Sequence, residues 1–321
     1  MKYLITGGAG FIGGHLAQAL LANDKCEKVI IIDDLSTGSL DNLKAIAADP
    51  RLQVIIKDIT DEDCELGKYA KEVDCIYHLA AAVGVELVVR EPGRTIHTNV
   101  HGTENIVKAA VEFDKRIIVA STSEVYGKSN HEFFSENDDL LIGNPIHSRW
   151  SYACSKLLDE FYTLAYCKSH RLKGTVVRFF NTVGPRQTGQ YGMVIPRFVK
   201  SALANKDLHV YGDGSQSRCF CHVFDTVRAL IALADNQESF GGIYNIGSQN
   251  KISILGLAEM IIKELKSNSK IKFIPYEEAY EEGFEDMMHR APDTAKINSL
   301  IRWRAEHSLT DIIRDVADAM K

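Results

Sequence analysis

A short apolar run, Lys2-Tyr3-Leu4-Ile5-Thr6, breaks into Gly7-Gly8-Ala9-Gly10-Phe11-Ile12-Gly13 and then continues as a helical pattern. Few folds need three glycines at this spacing between a strand and a helix. Gly7 permits a tight turn, Gly10 lets a pyrophosphate approach the backbone, and Gly13 lets the helix pack closely on the strand. The helix start, at Phe11 and Ile12, offers unpaired N–H groups and a partial positive charge to phosphate oxygens. A second β-branched run ends at Asp33, 20 positions beyond Gly13. A carboxylate there accepts hydrogen bonds from an adenosine ribose and repels a 2′-phosphate, so the pattern predicts NAD rather than NADP.

The same alternation continues. Lys2–Thr6, Val29–Asp33, Val54–Ile56, Cys75–His78, Ile117–Ser121 and Thr175–Arg178 read as strands. They are near-continuous apolar runs, as in a parallel sheet covered on both faces. Gly13–Asn23, Thr98–Phe113 and Ser151–His170 read as helices between them. The predicted class is α/β, a Rossmann-type doubly wound parallel sheet with ligands at the carboxyl ends of its strands. After Asn181, Pro185, Gly189, Gly192, Pro196, Gly212 and Gly214 break the rhythm, with helical runs at Ile195–Ala204 and Ile254–Glu264. This part reads as a smaller C-terminal α/β substrate-binding domain. The expected division is 1–180 plus about 217–250 for the NAD-binding domain, and about 181–216 plus 251–321 for the substrate domain. The acidic stretch Tyr276–Asp286 reads as a solvated loop or helix.

Composition narrows the class further. The net charge of −6, from 37 Lys+Arg against 43 Asp+Glu, gives no support for a nucleic-acid binder. No apolar run is long enough for a membrane span, and the start reaches glycine too soon for a signal peptide. The 7 cysteines are scattered, with no Cys-x-x-Cys pair, which points to reduced thiols in a cytoplasm. Cys219-Phe220-Cys221-His222 lacks the second half of a tetrahedral set, so no metal is expected.

Several residues carry candidate chemistry. Asp58-Ile59, after the third strand, reads either as a contact to the adenine edge or, for Asp58, as a helix N-cap. Leu79-Ala80-Ala81 is a small-residue loop that either lets the cofactor lie close or simply packs. Tyr152 and Lys156 are four apart on a helix and share a face, which places the ammonium near the phenol. A phenol is a poor base at neutral pH, and a neighbouring cation favours the phenolate and makes Tyr152 a general base. Ser121-Thr122-Ser123 ends the preceding strand and faces the same crevice. Cys154, between the pair, reads as a small core residue.

With these residues in place, the chain resembles the extended short-chain dehydrogenase/reductases that act on nucleotide sugars, the NAD-dependent epimerase/dehydratase family. The resemblance rests on Thr6–Gly13, Asp33–Gly38, Tyr77–Ala81, Asn99–Thr103, Ser121–Gly127, Tyr152 with Lys156, Arg178–Asn181, Gly184-Pro185-Arg186 and Gly212–Arg218. It implies that Thr122 orients the 4-hydroxyl of the sugar, Tyr152 takes its proton, and Tyr152 and Lys156 also contact the cofactor, Lys156 by holding the nicotinamide ribose. It further implies that Ser123, Asn181, Arg186 and Arg218 contact a nucleotide-sugar substrate, a UDP-sugar first, with guanidinium suited to phosphate oxygens. A homodimer packed through the helices near Asn99–Phe113 and Trp150–His170 is also implied.

Family members share oxidation at C4 and differ in what the 4-keto sugar does next. Glu124, in Thr122-Ser123-Glu124, stands where simple 4-epimerases usually carry a small residue, and uronate decarboxylases resemble this pattern. His289-Arg290-Ala291-Pro292-Asp293 is similar to the Arg-x-Pro segment of UDP-glucuronate decarboxylases, where Arg290 would act near a C6 carboxylate. Each has a plainer reading, a strand-end carboxylate for Glu124 and an ion pair for Arg290. The loops Ala82–Leu87 and Thr182–Met193 depart from the usual decarboxylase form. The expected order is uronate decarboxylation, then C4 epimerisation, then 4,6-dehydration. Intact Tyr152, Lys156 and Thr122 argue against a non-catalytic dinucleotide sensor.

Overall fold

The computed structural model describes residues 1–84, 88, 90–189, 193–275 and 290–321. The acidic stretch Tyr276–Asp286 lies outside the described residues. Seven strands form one parallel sheet: β1 (Lys2–Thr6), β2 (Lys28–Asp33), β3 (Leu52–Ile56), β4 (Cys75–His78), β5 (Arg116–Thr122), β6 (Lys173–Phe179) and β11 (Ile243–Ile246). Their order is β11-β6-β5-β4-β1-β2-β3. The order reverses between β1 and β4, where helices pass to opposite faces and leave a crevice at the carboxyl ends.

Alternation along each strand explains the two covering layers. From β1, Tyr3 and Ile5 join a core with α1 (Phe11–Leu21), α6 (Val223–Asp235) and α8 (Ala295–Ile301). Leu4 faces the other core, with α2 (Leu66–Glu72), α3 (Pro92–Glu112) and α4 (Trp150–His170). A third apolar cluster joins α5 (Val194–Leu203), α7 (Ile254–Glu264) and α9 (Leu309–Asp318) around β8 (Leu208–Tyr211). The remaining strands are short. β7 (Thr182–Val183) pairs with β10 (Cys221–His222), β9 (Ser217–Cys219) with β12 (Lys251–Ser253), and β8 with β13 (Ile271–Ile274).

Differences from the sequence reading have local causes. α3 starts at Pro92 rather than Thr98, because a proline costs nothing in the first turn. Cys154 is exposed rather than a core residue. On α4 the inward face is taken by Ala153, Ser155, Lys156, Asp159, Glu160 and Thr163, and Cys154 points away from it. Cys219 and Cys221 are both buried. Among the described residues, no helix is long and apolar enough to cross a membrane.

Two buried polar links fix the frame of the crevice. Arg178 on β6 makes a two-pronged pair with Glu160 on α4, at 2.9 and 2.7 Å, and Ser121 at the end of β5 donates to the same carboxylate. Asn99 on α3 donates to Ser155 Oγ at 2.9 Å and accepts from the Ala82 N–H at 2.8 Å. The first link joins the strand carrying Thr122 to the helix carrying Tyr152, and the second joins the loop after β4 to that helix.

Candidate functional site

Every candidate catalytic, cofactor-binding and substrate-binding residue named from the sequence lines one cleft along the carboxyl ends of the sheet. At one end lies the glycine turn. Gly7 has φ +72, and a Cβ there would sit 2.6 Å from the Ala80 nitrogen. A Cβ on Gly13 would lie 2.3 Å from the Gly7 carbonyl oxygen. Gly10 is the N-cap of α1, so no side chain covers the N–H groups at the helix start near Phe11 and Ile12. That leaves a positive helix end facing the cleft, a fit for a pyrophosphate.

Asp33 does more than await a ribose. Its Oδ2 accepts from the Ala9 N–H at 2.8 Å and its Oδ1 from the Leu35 N–H at 2.9 Å, so it clasps the glycine turn to the end of β2. Burial raises its carboxyl above the ordinary value, and these donors pull it back. Asp58 accepts both the N–H and the hydroxyl of Thr60 at 2.8 Å, so it caps a turn; the helix N-cap that follows is Asp61 instead, and Asp58 lines the cleft. Ile59, Leu79, Ala80 and Ala81 form the small, apolar wall beside it. The residues present therefore fit a dinucleotide.

At the centre stand Thr122, Tyr152 and Lys156. Thr122 ends β5, and its hydroxyl oxygen accepts the Glu124 N–H at 3.2 Å. The Tyr152 phenol is pushed well above its usual value, first by burial and then by the Glu124 charge, with a hydrogen bond from Thr122 opposing. Lys156 lines the same cleft as Tyr152. Its ammonium donates to Asp159 Oδ2 at 2.7 Å, one turn further along α4. A lysine has helix neighbours at both i−4 and i+3, and the i+3 neighbour here is a carboxylate.

Beside them in the cleft, one carboxylate sits between two guanidiniums. Glu124 pairs with Arg290 through one oxygen and with Arg149 through the other, the latter at 3.1 Å. Burial alone would raise the Glu124 carboxyl, but the Arg290 and Arg149 charges outweigh it and hold it below the usual range. Arg290 also donates to Asn181 Oδ1, and Asn181 donates onward to the Cys219 carbonyl at 2.9 Å. Arg149 escaped the sequence reading. It sits at the start of α4, three residues before Tyr152, stacked at 4.9 Å on the buried Trp150 ring. Arg186 lines the cleft but bonds to His15, Asn42 and Gln18 beside α1. Arg218, on β9, lines the wall with its Nη1 on the Ser217 carbonyl at 2.8 Å.

Residues 3–247 match the NAD dependent epimerase/dehydratase family. Among curated proteins, the chain is 42% identical to UDP-N-acetyl-alpha-D-glucosaminuronate decarboxylase of Bacillus cytotoxicus, over 94% of this chain and 92% of that one. It is 35% identical to UDP-glucuronic acid decarboxylase 6 of Arabidopsis thaliana, over 97% and 86%. Among solved structures, UDP-glucuronic acid 4-epimerase from Bacillus cereus, in complex with UDP-glucuronic acid and NAD, superposes with TM-score 0.88 at 28% identity, covering 100% and 99%. The chain belongs to the NAD-dependent epimerase/dehydratase family and is an NAD-using enzyme.

Proposed function

We propose that the chain decarboxylates a UDP-linked hexuronate through a 4-keto intermediate. The observation that carries this reading is the cluster of Glu124, Arg149 and Arg290 set in the same cleft as Thr122 and Tyr152. A simple epimerase acting on neutral sugars has no use for two guanidiniums beside the sugar site. A uronate brings a carboxylate that such cations bind.

In this reading the glycine turn, Asp33, Asp58, Ile59 and Leu79–Ala81 hold the cofactor. Ser123, Asn181, Arg186 and Arg218 hold the UDP-sugar. NAD, when bound, accepts hydride from C4 and later returns it. Tyr152 takes the C4 hydroxyl proton, with Thr122 orienting the hydroxyl. The product is a β-keto acid, which loses CO2 from C6 and leaves an enolate between C4 and C5. Arg290 steers the departing carboxylate, and a proton taken up from water on the Glu124 side adds to C5 and gives the 4-keto pentose. Tyr152 then returns its proton to the C4 oxygen. Glu124 rests as a carboxylate, so its part begins as charge and not as an acid.

Residues 1–180 plus about 217–250 would carry NAD and residues 181–216 plus 251–321 the sugar nucleotide, as separate domains. The enzyme would be a homodimer through α3 and α4. Its seven free thiols suit a reducing cytoplasm. The test is mass spectrometry with proton NMR after incubation with UDP-glucuronate or UDP-N-acetylglucosaminuronate, without added cofactor. A UDP-pentose or its 2-acetamido form, lighter by one CO2, is expected. An isobaric product inverted at C4 would make the chain a uronate 4-epimerase, and no change with either would sink the uronate reading.

A further inference from the structure

The lysine of the cleft has a partner that C4 oxidation does not require. Lys156 Nζ and Asp159 Oδ2 lie 2.7 Å apart with side chains only 2% and 1% exposed. Both stand on α4, three residues apart, so the helix itself presents one to the other. The second oxygen, Asp159 Oδ1, is buried and has no hydrogen-bond partner among the described residues. Buried polar atoms are rarely left bare. Burial raises the Asp159 carboxyl above its ordinary value, and the Lys156 ammonium first, then the Thr103 hydroxyl, pull it back toward the charged form.

The groups around the pair leave Asp159 as the counter-charge of the lysine. Glu160, the next residue, is committed to Arg178 and Ser121. His78, at the end of β4, is tied between Thr6 at 2.7 Å and Thr103 at 3.0 Å. Burial first, and then the Lys156 charge, depress its pKa to about 3, so it is neutral beside the ammonium. Facing the phenol are Glu124 from the turn after β5, Thr122 on β5 and Arg290 from the C-terminal segment, with Asp159 acting along the helix.

Building on the decarboxylase reading, we propose that Asp159 is a positioning residue: it holds the Lys156 ammonium one turn beyond Tyr152 and offsets the positive charge the lysine presents to the phenol. Asp159 stands two helical turns, roughly 10 Å along the axis, from Tyr152. At that range, in a protein interior, a unit charge shifts a phenol by about one pH unit. With the carboxylate in place the phenol is less acidic and, once ionised, the stronger base.

The test uses NAD-loaded enzyme in four forms: unaltered, Asp159→Asn, Asp159→Glu, and Tyr152→Phe as the blank. The Tyr152 phenol is titrated by ultraviolet difference without substrate, and the pH profile of turnover is recorded beside it. Asp159→Asn should move the titration, and the acid limb of turnover, down by about one pH unit. Asp159→Glu, which keeps the charge, should leave both near their starting positions. A titration in Asp159→Asn that coincides with the unaltered enzyme overturns the proposal, even where thermal stability falls. So does a shift in Asp159→Glu equal to that in Asp159→Asn. Absence of UDP-pentose from the unaltered enzyme would defeat the decarboxylase reading alone, since the titration needs no substrate.

Discussion

At the scale of single residues, the cleft separates groups that move protons from groups that hold charge. Tyr152 is hydrogen-bonded to Thr122 at the sheet end, so Tyr152→Phe should lower kcat by about 10²- to 10⁴-fold. NAD released on denaturation should be unchanged, because the phenol takes no part in the glycine turn; cofactor loss in that variant would instead make Tyr152 a binding residue. Glu124 permits a prediction with a sign. Its carboxyl lies below the ordinary 4.5 in the folded protein, after Arg290 and Arg149 overcome burial. The stabilisation is therefore complete above pH 4.5, where the unfolded chain is also ionised, and is lost as pH falls below it. Thermal unfolding followed from pH 6 to about pH 3.5 should show a steeper loss of Tm in the unaltered protein than in Glu124→Gln. The substituted protein should already start lower at neutral pH, with two guanidiniums deprived of their carboxylate. Parallel curves would remove Glu124 from the acid-sensitive groups.

At the scale of elements, the glycine turn and α1 form a part with little tolerance. Gly13→Ala would drive a methyl to 2.3 Å from the Gly7 carbonyl oxygen, and that atom is backbone. Purified Gly13→Ala should carry less NAD per chain than the unaltered protein, measured after acid release. Equal loading would mean that the turn can open without loss. The Arg178–Glu160 pair locks β6 to α4 while almost wholly buried, at side-chain exposures of 3% each. Removing one partner with Glu160→Ala strands the other and should cost about 3–5 kcal/mol in denaturant unfolding. The turn was legible in the sequence because glycine spacing reports a backbone requirement directly, and Asp33 because a strand end fixes its place. Arg149 was not legible, since a lone arginine before an aromatic residue has no spacing of its own and gains meaning only when folding brings Glu124 to it. The bond of Lys156 to Asp159 was not legible either, since helix spacing offers the lysine both Tyr152 and Asp159 as neighbours and folding buries it with the carboxylate.

At the scale of the whole molecule, the outer surface of α4 carries an exposed apolar row. Leu158 and Phe161 are exposed at 48% and 64%, and Cys154 is exposed in line with them. Positions 154, 158 and 161 fall on one helical face, opposite the face that carries Lys156 and Asp159. On the neighbouring α3, Ile96 is 45% exposed. Scattered apolar residues on a surface are ordinary, but a row at helical spacing on two packed helices is the pattern of a covered face. A second copy of the chain is the occupant proposed here, because a face repeated on each copy closes a twofold contact without leaving an open end. The consequence for function is indirect. The buried side of α4 carries Tyr152 and Lys156, so clamping its outer side would restrain the helix that holds the base. Phe161→Glu with Leu158→Glu should convert the species seen by sedimentation from dimer to monomer and lower Tm. Turnover by the resulting monomer should fall through kcat more than through KM, since the residues proposed to bind the substrate lie elsewhere. An unaltered protein that sediments as a monomer at micromolar concentration would refute the dimer, and would leave the exposed row on α4 without a role.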